Sequence, residues 1–156
     1  MADNYQQFSE EIKKLTPKEE KWLRDLLATP ETRESFLLEA RRHVDEEEDL
    51  DFSWSFDDDE VEGMGLWVYA EDAGNIEHVV LLVRAFLKKF RPKTCWTLEY
   101  ADTCSRPRIG AFGGGAVLVT ATDAQWLSTS TWRHDQVKKF EARMKRRKEK
   151  AKKAKK

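Results

Sequence analysis

One apolar helix, ruled off by a cap and a proline, does most to constrain what this chain folds into. Ile76, Val79, Val80, Val83, Phe86, Leu87 and Phe90 recur at three- and four-residue spacing, the pattern that buries one side of an α-helix. Asn75 suits the cap, Lys88, Lys89 and Arg91 suit the negative end of the helix dipole, and Pro92 stops it. The runs on either side read as strands that such a helix can cover. In "DLDFSWSFDDDE", Phe52, Trp54 and Phe56 alternate with Asp51, Ser53 and Ser55 at the period of a half-buried strand. After an acidic turn, "MGLWVYAE" reads as its antiparallel hairpin partner, and its two apolar faces predict a central position. "TCWTLEYA" reads as a third strand, with Trp96, Leu98 and Tyr100 on one face and Cys95, Thr97 and Glu99 on the other. "AVLVTAT" reads as a fourth.

Two helices precede the strands. In "LTPKEEKWLRDLLATP", Thr16 is placed to cap, Pro17 fits the first turn, and Glu19 completes a capping box. Trp22, Leu23, Leu26 and Leu27 make its apolar face. Thr29 and Pro30 then start a second helix carrying Phe36, Leu37, Ala40 and Val44. At the other end, Val137, Phe140 and Met144 form a helix face after a cap at Ser130 or Thr131, before the low-complexity "KRRKEKAKKAKK". The order α-α-β-β-α-β-β-α predicts an α+β fold. Its expected form is a four-stranded antiparallel or mixed sheet with helices on one face, a ferredoxin-like β-α-β-β portion and an N-terminal helical hairpin. Residues 1–136 are expected to form a single domain: a helical hairpin (16–44), an acidic segment with the first strand (45–62), and the sheet with its crossing helix (64–122). Residues 137–156 are expected to form a basic tail, helical or disordered.

With 156 residues, six Trp and eight Phe, there is material for one real core. No apolar run is long enough to span a bilayer, and "MADNYQQFSEEIKK" lacks the order of a secretion signal, so a cytoplasmic protein without a membrane partner is expected. Two cysteines, Cys95 and Cys104, do not make a disulfide framework.

The net charge of −1 conceals two opposite poles. Residues 45–62 hold eleven acids and no base; residues 138–156 hold twelve bases against Glu141 and Glu149, a net +10. Charge blocks of this density mark surfaces that are solvated or that meet an opposite charge. Lys145, Arg146, Arg147, Lys148, Lys150, Lys152 and Lys153 are therefore candidates for nucleic-acid contact, because neutralising a polyanion releases its counterions. Asp57, Asp58, Asp59 and Glu60 are the candidate contacts for a protein partner, and docking of the tail on the acidic segment is the competing use of both poles.

Catalytic and metal signals are weaker. Gly113, Gly114 and Gly115 precede a strand, whereas a phosphate loop needs its glycines before a helix. They read as a turn or bulge, and Arg106 and Arg108 on the same loop are left as a second anion contact. Cys104 has no arginine six residues on, that place being Gly110, and His43, His78 and His134 are scattered. A carboxylate pair drawn from Glu71, Asp72, Glu99 and Asp102, and a base-stacking platform of Trp67, Tyr69, Trp96 and Tyr100, are the remaining combinations; solvated loop acids and core packing are the plainer readings. Trp126 and Trp132 are placed to cover a sheet edge or anchor the last helix. No zinc or calcium spacing occurs, so no catalytic residue, metal or cofactor is assigned.

The stretch "EYADTCSRPRIGAFGGGAVLVTATDAQWL" (99–127) resembles small uncharacterised proteins of bacteriophages and other mobile bacterial elements. Thr103-Cys104-Ser105, Pro107-Arg108, Phe112 with the glycine triplet, and Trp126 carry the likeness. The resemblance implies a bacterial or viral setting and brings no activity with it.

The expected function is a non-enzymatic binding protein that contacts nucleic acid or a nucleoprotein through its basic tail. An adaptor or inhibitor of a host protein acting through the acidic segment is the alternative within binding. A small enzyme using Cys104 or loop carboxylates is the alternative outside it.

Overall fold

The computed structural model describes residues 3–41, 49–59 and 63–153. The chain is α+β. In order it forms β1 (Asn4–Ile12), α1 (Pro17–Leu27), α2 (Pro30–Arg41), β2 (Ser53–Asp59), β3 (Gly63–Ala70), α3 (Ile76–Phe90), β4 (Cys95–Cys104), β5 (Gly113–Thr120), β6 (Ala124–Ser128) and α4 (Thr129–Lys153). One sheet runs β2-β3-β1-β4-β5-β6, with every neighbouring pair antiparallel.

The sheet has six strands, not the expected four. β1 was missed because its alternation is diluted: Phe8 and Ile12 are buried, but Gln6 and Glu10 share their face. Pairing of its first half with β4 and of its second half with β3 makes the strand. β1 sits between β3 and β4, so those two run in the same direction and the chain must cross the sheet to join them. α3 makes that crossing. β6 was missed because it is only five residues long and mostly exposed.

Local chemistry explains the elements that were expected. Thr16 accepts from the Glu19 amide while the Glu19 carboxylate accepts from the Thr16 amide, a complete capping box. Asn75 caps α3 by accepting from the Glu77 amide at 2.9 Å. α1 and α2 follow each other with Ala28 and Thr29 between them. Val44 and residues 45–48 lie outside the described residues. Asp49, where description resumes, accepts two bonds from Arg33 of α2, at 2.6 and 2.7 Å.

The core lies between one face of the sheet and α1 to α3. Phe8, Ile12, Leu66, Val68, Leu98, Val117 and Val119 face Leu23, Leu37, Val79, Leu82, Val83 and Phe86, all buried. Trp54 and Phe56 turn to the same side, where Arg33 and Arg24 cover their rings. The opposite face of the sheet carries no helix among the described elements. α4 adds nothing to the core: from Thr129 to Lys150 every residue except Gln136 is exposed.

Candidate nucleic-acid interface

α4 begins where β6 ends, with no residue between Ser128 and Thr129. The Ser128 hydroxyl accepts from the Thr131 amide, and the Thr129 hydroxyl donates to the Gly114 carbonyl at 3.0 Å. The first turn is thus tied to the neighbouring strand, and the rest stands in solvent. At about 1.5 Å per residue, a 25-residue helix is roughly 37 Å long. It carries eleven bases against Asp135, Glu141 and Glu149. Lys145, Arg146, Arg147, Lys148 and Lys150 are exposed within less than two turns, and Lys152 and Lys153 continue its backbone as helix. The tail expected to be helical or disordered is helical through Lys153; residues 154–156 lie outside the described residues.

The glycine triplet forms the first three residues of β5 and holds that strand against β4 and β6. Gly114 has φ +145°, and a Cβ there would land on the Tyr100 carbonyl oxygen. The Tyr100 ring lies across Gly115, where a Cβ would come within 2.7 Å of its hydroxyl. Close backbone approach, not phosphate, explains these two glycines.

Arg106 and Arg108 are exposed on the loop between β4 and β5. Arg108 lines an open cleft of about 770 Å³ with Asn4, Gln6, Asp51, Asn75 and Asp102. Asp102 accepts from the Gln6 amide group at 3.1 Å. Burial, and then the charge of Asp102, push the Tyr100 phenol up. His78, fully buried behind this cleft, accepts from the Asp51 amide at 3.0 Å and so helps position its wall.

Other expected combinations come apart. Glu99 and Asp102 stand on opposite faces of β4, so these two carboxylates do not pair with each other. Trp67 and Tyr69 stack at 4.0 Å on the open face, while Trp96 and Tyr100 face the helices, so the four aromatics share no platform. Cys104 is buried; His78 is engaged at α3, and His134 is exposed on α4. His43 and Glu60 lie outside the described residues. Asp57 is exposed in β2, whose backbone Asp58 and Asp59 extend to its end. Trp126 on the edge strand β6 and Trp132 in the first turn of α4 are both about half exposed. No group of three metal-ligating side chains occurs among the described residues, and no described helix is long and apolar enough to cross a membrane.

The six strands contain seven carboxylates and not one Lys or Arg. The sheet and α4 are therefore opposite poles of the molecule. Compared with protein-family models, curated proteins and solved structures, the chain matches none.

Proposed function

We propose that this chain is a non-enzymatic binding protein of a bacteriophage or mobile-element kind that contacts nucleic acid or a nucleoprotein through α4. The observation that carries this reading is a 25-residue helix crowded with bases and exposed from Thr129 to Lys150 at every residue but Gln136. Such a helix gains affinity by displacing counterions from phosphates, needing no base-specific contact. Lys145, Arg146, Arg147, Lys148, Lys150, Lys152 and Lys153 are the contacts, with Arg106 and Arg108 as a second, weaker one. The base-free strands support the choice of helix over sheet, since carboxylates repel a phosphate backbone.

The test is a full-length variant with Lys145, Arg146, Arg147 and Lys148 all changed to Gln. These side chains are exposed, so folding should be unaffected. Binding to DNA or RNA should weaken, and the slope of log affinity against log salt should fall by about one per charge removed. Unchanged affinity and slope would overturn the assignment.

The second reading, an adaptor or inhibitor that meets a host protein through Asp57, Asp58, Asp59 and Glu60, draws on the same base-free sheet. Binding of a basic partner protein, abolished by Asp57→Lys while the α4 variant above leaves it intact, would favour it.

A further inference from the structure

Polyanion binding accounts for the bases of α4 and leaves its apolar stripe without a role. Val137, Phe140 and Met144 follow at three- and four-residue spacing on one side of the helix, 50, 58 and 36 % exposed. The sheet face opposite α1 to α3 is also uncovered. Leu127, 53 % exposed, and Leu118 face outward there on β6 and β5, and the stacked pair of Trp67 and Tyr69 lies on β3 of the same face, with β1 and β4 between. A groove of about 500 Å³ runs over Ala101, Gly114 and Ala116 between Glu99 and Leu127. Glycine and alanine leave its floor low enough to admit a large side chain.

Charge and connectivity select the occupant. Glu11, Asp57 and Glu99 face outward on this side, and the strands carry no base. α4 has the opposite charge and the unpartnered stripe. Two such helices, each with eleven bases against three acids, repel each other, so helix-to-helix pairing is disfavoured. The molecule's own α4 is held away from the face, because it starts directly at the end of β6 with Thr129 bonded to Gly114. A second copy is under no such restraint.

We propose that α4 of one copy lies across the open sheet face of a second copy, seating Phe140 and Met144 in the groove over Gly114 and Ala116. Exchange is reciprocal and closes a two-fold dimer. Arg143 borders the stripe and meets the carboxylates of the partner sheet. Lys138, Lys145 and Arg146 lie on the far side of the helix and stay outward, open to a polyanion. The dimensions agree: the roughly 37 Å helix exceeds the width of six strands spaced about 4.8 Å apart.

Sedimentation velocity of the full chain at low salt, with no nucleic acid present, should give twice the 18.3 kDa chain mass. Phe140→Glu, outside the core, and Glu99→Lys, on the exposed sheet face, should each weaken the dimer at least about tenfold, the equivalent of 1.4 kcal/mol. Carbodiimide coupling of mixed isotopically light and heavy copies should join α4 lysines of one to Glu99 or Asp57 of the other. A chain that stays at monomer mass would overturn the proposal, as would a dimer cross-linked only from α4 to α4, or one that Phe140→Glu leaves intact. A monomer that gains mass only on adding DNA or RNA overturns it while sparing the polyanion reading. A cross-linked dimer without nucleic-acid affinity does the reverse.

Discussion

Thr129 donates its hydroxyl to the carbonyl of Gly114 at 3.0 Å, joining the first residue of α4 to the glycine run of β5. The glycine run that draws attention in the sequence therefore holds the first turn of the basic helix. Thr129→Val removes the donor while keeping the shape of the side chain, and should cost about 1 kcal/mol in chemical denaturation. An unchanged midpoint would show that the bond does not hold the helix.

The glycines of β5 should respond unequally to a methyl group. Gly114→Ala meets the Tyr100 carbonyl at φ +145°, and a loss of about 1 to 3 kcal/mol is expected. Gly113→Ala finds only ordinary contacts at 3.6 Å and should be near neutral. Thermal melts of the two variants separate a packing role from a ligand role, because a phosphate cradle would lose binding without this difference in stability.

Glu19 and Arg91 make the acid-sensitive joint of the core edge. Arg91 donates to the Glu19 carboxylate at 2.8 and 3.0 Å and to the carbonyls of Lys13 and Lys14. The guanidinium bonds first, against the opposing effect of burial and with help from Thr16, hold the Glu19 carboxyl down at about 2 against an ordinary 4.5. A carboxyl lowered in the folded state stabilises fully above its unfolded value. That stability, roughly 3 kcal/mol at 1.36 per pH unit, drains away as pH falls from 4.5 toward 2. Arg91→Gln should flatten the stability profile in that window; a profile that keeps its slope would contradict the assignment.

α4 should be more helical when its charge is screened. Arg143 with Arg147, Arg146 with Lys150 and Lys148 with Lys152 are like-charged pairs four residues apart, each opposing the helix by a few tenths of a kcal/mol. Circular dichroism at 222 nm should deepen with added salt or polyanion in the full chain, and much less in a chain ending at Gln136.

Much of this fold was legible because short-range chemistry set it. The Thr16 and Glu19 box, the Asn75 cap, and the alternation through Trp54 and Phe56 are each decided by residues within a few positions of one another. β1 was not legible: its polar Gln6 and Glu10 are strand residues because Gln6 pairs with Asp102 of β4 and Glu10 with Val68 of β3. The site was legible in charge and illegible in direction. The bases of α4 can be counted in the sequence, but its departure into solvent depends on β6 forming and on Thr129 meeting Gly114, fifteen positions away. The absence of bases from the strands was a readable signal that emerges only once β1 and β6 are recognised as strands.

The most direct measurement is fluorescence anisotropy of labelled single- and double-stranded DNA and RNA, titrated over a salt series with the full chain and with a chain ending at Gln136. If α4 is the contact, the full chain binds with an affinity that falls steeply with salt and varies little with sequence, and the shortened chain loses that binding. Equal binding by both chains, or none by either, would contradict it.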